Sequence, residues 1–140
     1  YGPSFGPLEK LRNEMGLQEI VHFHGVISRE EALGLQRKAN ALLFLESPNT
    51  PGREGILTGK LFEYLAAKRP ILAVGVPDNS LAGKIIAEAC AGAALDYDCK
   101  KIEEFLYRLE AGTLPEPIDL PSRFDRAKIA REMLAAIEKL

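Results

Sequence analysis

The chain has little of what staples a protein or fits it to unusual surroundings. It carries two cysteines, Cys90 and Cys99, two histidines and no tryptophan in 140 residues. Two cysteines are too few for a disulfide framework, and they lack zinc-ligand spacing with other cysteines. They read as reduced thiols, which points to the cytoplasm. No basic surplus exists: 18 Lys and Arg stand against 20 Asp and Glu, a net charge of -2. Nucleic acid is therefore not an expected partner. No apolar run approaches the about 18 residues that cross a bilayer. The opening Tyr-Gly-Pro-Ser-Phe-Gly-Pro has neither a basic n-region nor an apolar stretch, so it is not a signal peptide. No Gly-x-Gly-x-x-Gly is present, which disfavours a dinucleotide site.

What remains is the composition of an ordinary soluble domain, 46% hydrophobic and 27% charged. Short apolar runs alternate with helix-period segments. The spacing predicts a helix over 8–15, with Leu8, Leu11 and Met15 on one stripe and Gly16 as its stop. A β-branched strand over 20–26 follows, then a Ser28–Glu31 capping box opening a helix to about Lys38. The run Ala-Leu-Leu-Phe-Leu at 41–45 reads as a strand covered on both faces. A Pro/Gly loop over 47–54 leads to a helix over 58–67 and a strand over 71–76. A turn with Asn79 or Ser80 as cap opens a helix to about Ala91, followed by a short strand over 93–95. An amphipathic helix over 101–110 carries Ile102, Phe105, Leu106 and Leu109, and Gly112 ends it. After an irregular proline-rich crossing, Ser122 caps a closing helix over 123–140, with Phe124, Ala127, Ala130, Leu134 and Ile137 inward.

Strands alternating with helices imply an α/β fold: one domain over 1–140, built on a Rossmann-like, doubly wound parallel sheet. Ligands of such sheets bind at the carboxyl ends of the strands. Thr58, Gly59 and Lys60 stand where a helix begins at that edge. Unpaired N–H groups, the positive end of the helix dipole and an ammonium meet there, which suits phosphate. Glu63, one turn on, is placed to accept hydrogen bonds from sugar hydroxyls. The plain alternative is a capped helix with a buried or solvated Glu.

Other candidates carry weaker signals. His22 and His24 alternate, a spacing that suits a metal, but no third ligand is evident. Glu46 and Ser47 end a strand at the ligand edge, where they read equally as a ligand contact or a capped loop, and Arg53 in the Pro/Gly loop reads as a phosphate contact or, at least as readily, a solvated charge. Asp78 and Ser80 read chiefly as a cap. Cys99 has no His or Asp partner for nucleophilic chemistry.

These residues, in order, resemble the C-terminal, donor-binding domain of group 1 retaining glycosyltransferases of the two-Rossmann-domain (GT-B) class. Val21-His-Phe-His-Gly-Val26 looks like the family's Val-x-Phe-x-Gly strand and turn, and Ala41–Ser47 looks like its next strand. Gly59-Lys-Leu-Phe-Glu-Tyr-Leu-Ala-Ala-Lys-Arg-Pro-Ile-Leu72 is similar to its signature helix and following strand, and 124–140 to its closing helix. The resemblance covers nearly the whole chain, without the family's first strand and helix. An excerpt from a longer chain is thus expected.

The resemblance implies transfer of a sugar from a nucleotide-diphosphate sugar to an acceptor hydroxyl with retained configuration, in polysaccharide or glycolipid assembly. It implies no cofactor and no metal, because helix dipole and basic side chains stabilise the departing diphosphate. It assigns the diphosphate to Thr58, Gly59 and Lys60, the ribose to Glu63, and the base to the backbone at Val26 and Ile27. Many members contact the donor sugar through the first residue of a Glu-x7-Glu pair. That position is Gly55 here, with Glu54 one residue away: either a loop adjustment brings Glu54 in, making Glu54 and Gly55 the donor-sugar contact, or this branch handles the sugar differently. The acceptor belongs to a separate N-terminal domain, so the fragment alone is expected to be inactive. Peripheral membrane association of the full-length enzyme is compatible with such an acceptor. A non-catalytic α/β module binding a phosphometabolite or protein partner is the alternative, and an epimerase of the same two-domain class is a third reading.

Overall fold

The computed structural model describes residues 1–3, 5–46, 57–118, 124 and 126–138. It divides into two compact units, Tyr1–Leu35 and Gln36–Leu140.

The first unit holds α1 (Gly6–Glu14) and the beginning of α2 (Arg29–Lys38). Proline near the start suits α1, because that N–H has no intrahelical acceptor. Gly16 ends the helix at φ +68, where a residue without Cβ is unstrained. The stripe Leu8, Leu11 and Met15 is exposed rather than packed. The stretch 20–26 is not the expected strand. Its β-branched residues have the right propensity, but a strand needs a neighbour to receive its ladder. Gly2 N–H donates to Gly25 O at 2.7 Å, Tyr1 stacks on His24 at 4.7 Å, and the Arg12 guanidinium lies 5.1 Å from the Phe23 ring centre.

The Ser28 box forms as expected. Glu31 N–H donates to Ser28 Oγ at 3.2 Å, and the Glu31 carboxylate accepts from Ser28 N–H at 3.1 Å and from Oγ at 2.9 Å. These bonds, the backbone one foremost, hold the Glu31 carboxyl below its usual range. Stability from this box is therefore complete above the ordinary glutamate range and lost as pH falls through the lowered folded value. A pH titration of the Ser28 and Glu31 amides by NMR should give a midpoint below that of an unstructured glutamate. A midpoint at or above it contradicts the box.

The second unit carries the sheet. Strands β1 (Leu42–Leu45), β2 (Ile71–Val74) and β3 (Gly92–Ala94) are parallel and adjacent in chain order. Leu42 pairs with Ile71, and Phe44 with Ala73; Ile71 and Ala73 pair in turn with Gly92 and Ala94. Both crossovers move in the same direction, so right-handed connections put α3 (Gly59–Ala67) and α4 (Leu81–Glu88) on one face. There Phe44, Ile71 and Ala73 meet Leu61, Leu65, Ile85 and Ile86. On the other face Leu43 and Leu45 remain 52% and 63% exposed. The expected cover on both faces of β1 is thus corrected to cover on one.

Local signals set the helix ends. Ser80 caps α4 by accepting from Gly83 N–H at 3.0 Å. Asp98 caps α5 (Cys99–Glu110) through the N–H groups of Lys100 and Lys101. Phe105 is buried and Ile102 and Leu109 half-buried, whereas Leu106 stays exposed. The closing helix is α6 (Arg126–Ile137). Its expected inward residues Ala127, Ala130, Leu134 and Ile137 are exposed, and only Phe124, ahead of it, packs against the core beside Phe62. The Ser122 cap lies outside the described residues. Among the described residues no helix is long and apolar enough to cross a membrane.

Candidate functional site

The carboxyl edge of the sheet is where the three strands hand the chain to their following segments. Backbone bonds extend past the strands: Glu46 N–H donates to Val74 O at 3.2 Å, and Gly75 N–H to Asp96 O at 2.8 Å. The Tyr97 hydroxyl then donates to Glu46 O at 3.2 Å, tying the end of β1 to the turn after β3. Gly75 lies beneath this link at φ +74. A Cβ there would stand 2.5 Å from Glu46 O and 2.6 Å from Tyr97 Oη, so no larger residue fits.

α3 starts at the same edge because it leads from β1 back to β2. Thr58 is extended, at φ -88 and ψ 150, and its side chain does not cap the helix. Leu61 N–H turns back to Thr58 O at 3.1 Å. At the first two helical positions, Gly59 and Lys60, N–H groups have no acceptor within the helix. Thr58, Gly59 and Lys60 are all exposed, and a Cβ on Gly59 would meet nothing within 4 Å. Leu61, fully buried at 0% exposure, and Leu65 seat the turn on the sheet, with Leu57 half-buried ahead of them.

Glu63 follows Gly59 and Lys60 by one turn, so the three share a helix face. Long side chains in a helix lean toward its N-terminus, which carries Glu63 over the turn that holds Gly59 and Lys60. Glu63 is half-buried and engaged in an interaction of its own. The adjacent Tyr64 packs edge-on against Phe44, with ring centres 6.3 Å apart. Burial first, and the Glu63 charge second, push the Tyr64 phenol above its usual pKa.

The expected site residues are thus distributed as follows. Thr58, Gly59 and Lys60 form the start of α3, and Glu63 lies one turn on, on the same face as Gly59 and Lys60. Val26 and Ile27 belong to the first unit, outside any strand, with Val26 76% exposed and Ile27 half-buried. Glu54 and Gly55, with Ser47 and Arg53, lie outside the described residues. Glu46 is half-buried at the edge, and Ser80 is engaged as a cap. His22 and His24 are exposed, with ring centres 6.2 Å apart, and no group of three metal-ligating side chains exists among the described residues. Cys90 and Cys99 are free thiols. Sequence reasoning missed Gly75 and Tyr97. The glycine directly after an apolar strand was a usable signal, whereas nothing local marks Tyr97 as the partner of Glu46. Together the edge offers open backbone donors, an ammonium and a carboxylate on a rigid base, a set able to hold an anion with an adjoining polyol. No protein-family model, curated protein or solved structure matches the chain.

Proposed function

We propose that this chain is the donor-binding domain of a retaining, group 1 glycosyltransferase, acting in the cytoplasm on a nucleotide-diphosphate sugar in polysaccharide or glycolipid assembly. In this reading the parallel sheet belongs to a Rossmann-like, doubly wound fold, the C-terminal half of a GT-B architecture. The observation that carries it is the start of α3: an uncapped N-terminus with exposed Gly59 and Lys60, and Glu63 on the same face. The N–H groups and Lys60 would take the diphosphate, and Glu63 the ribose hydroxyls. As the glycosidic bond to the leaving phosphate breaks, charge grows on the phosphate oxygen. Fixed donors offset that charge without reorganising. In this reading a separate N-terminal domain binds the acceptor whose hydroxyl takes the sugar, with peripheral membrane association of the full-length enzyme where that acceptor is a lipid.

The test is titration of the chain with UDP and GDP, followed by calorimetry and amide NMR. Millimolar nucleotide should shift the amides of Thr58–Lys60. Lys60→Gln should weaken binding about ten-fold, as for loss of a charge-assisted hydrogen bond. Lys60 is exposed, so its removal should leave the unfolding midpoint in place. Unmoved amides at 58–60 would remove the basis of the proposal. The second reading, a non-catalytic module, rests on Gly55 standing where many of the resembled enzymes carry Glu. It predicts that a nucleotide binds no better than inorganic phosphate.

A further inference from the structure

The opposite edge of the sheet holds a second concentration of positive charge. Here α2 and α3 end and β2 begins, and the segment after α5 passes alongside. A cleft of about 620 Å³ opens between them, lined among others by Arg37, Lys68, Arg69, Pro70, Leu114 and Glu116. Among the described residues Arg37, Lys68 and Arg69 line it with the carboxylate of Glu116, and Lys68 is engaged in an interaction of its own.

The arrangement around Arg69 is ordered. Its Nε donates to Arg37 O at 2.7 Å, across 32 positions of sequence. Lys68 sits in the left-handed region at φ 52, directly before Arg69 and Pro70. The guanidinium is thus held by one edge, with the Nη groups on its other edges. No ion pair of Arg37 or Arg69 occurs among the described residues. Cations near helix C-termini commonly offset the carbonyl charge there, and the Nε bond does that for α2. That bond engages one edge of the Arg69 guanidinium and only the backbone carbonyl of Arg37, and among the described residues neither guanidinium is in a salt bridge with a carboxylate. Guanidinium groups match phosphate oxygens in pairs, and the apolar walls at Pro70 and Leu114 suit the organic part of such a ligand. The volume lies in the range of small-molecule sites.

We propose that this cleft binds a phosphate-bearing anion through Arg37 and Arg69. The site is distinct from the start of α3, because the two stand at opposite ends of the strands. It does not depend on the glycosyltransferase reading.

The experiment is an amide NMR titration of the whole chain with inorganic phosphate at low salt. It is run in parallel on Lys60→Gln, which disables the other candidate anion site. Saturable shifts at Lys68, Arg69, Leu114 and Glu116 are expected in both proteins. Arg37→Gln and Arg69→Gln should each weaken the binding about five-fold, a partly solvent-screened ion pair's share. Arg37 is exposed and accepts the Arg69 bond through its backbone carbonyl, which the substitution keeps, so Arg37→Gln should unfold at the unchanged midpoint and keeps the test sound if Arg69→Gln does not fold. Sedimentation with phosphatidylcholine vesicles, with and without phosphatidic acid, assigns the source. Retention only on the acidic vesicles, lost in Arg37→Gln, makes the ligand a lipid headgroup. No retention alongside the phosphate shifts makes it a soluble phosphate ester. Absent shifts at those amides in tens of millimolar phosphate, or shifts that Arg37→Gln leaves unchanged, overturn the proposal.

Discussion

Gly92→Ala should destabilise the protein by about 3 kcal/mol or more, the sum expected of backbone strain and a steric clash. Gly92 opens β3 at φ +143, a conformation that residues with a Cβ rarely adopt. The added Cβ would also press on the backbone oxygen and nitrogen of Ile71, its partner in β2. Neither atom can move aside, because Ile71 is fully buried and its N–H donates to Ala91 O at 2.6 Å. Against a total of about 5–15 kcal/mol for a domain, such a loss removes roughly a fifth to three-fifths of the stability. Urea denaturation followed by circular dichroism reads it directly. Gly34→Ala is the control: it lies within α2, and its added methyl meets nothing within 4 Å. A Gly92→Ala midpoint as high as that of Gly34→Ala would show that β3 does not pair with β2 in this register.

Leu61→Ala should cost about 2–5 kcal/mol, the range for truncating a buried leucine. Leu61 has no exposed surface and belongs to the cluster containing Phe44, Ile71 and Ile85. Its position gives the change a second effect. Gly59 and Lys60 immediately precede it, and Leu61 N–H makes the turn back to Thr58 O. The cavity should therefore loosen the first turn of α3. Under the proposed function, nucleotide affinity should fall together with stability, and hydrogen exchange should quicken in α3 first. An exchange pattern unchanged in α3 would separate the core from the candidate site.

Much of this architecture is written locally. The Ser28–Glu31 box, the Ser80 cap and the terminal Gly112 act within a few residues, and each is found where its residue type predicts. The run Leu42–Leu45 is a strand, as its length and apolar content require. What failed depends on distant partners. The stretch 20–26 has strand propensity without a ladder among the described residues, and the apolar side chains at 127, 130, 134 and 137 have helical spacing yet are exposed. Continuous hydrophobicity in β1 gave no means of telling that one face stays open. The site divides the same way. The start of α3 is legible because Gly-Lys at a helix opening is a local pattern. The tie from Tyr97 to Glu46 spans 51 positions and cannot be seen before the strands are aligned.

The neighbour-to-neighbour order of β1, β2 and β3 also bears on how the domain is made. Each strand docks beside the one synthesised just before it, so every ladder closes a loop only one crossover long. Among these three described strands, no early one waits for a late one to complete its pairing on that side. Assembly can then advance stepwise as the chain leaves the ribosome, with β2 already seated when α4 arrives to seal it.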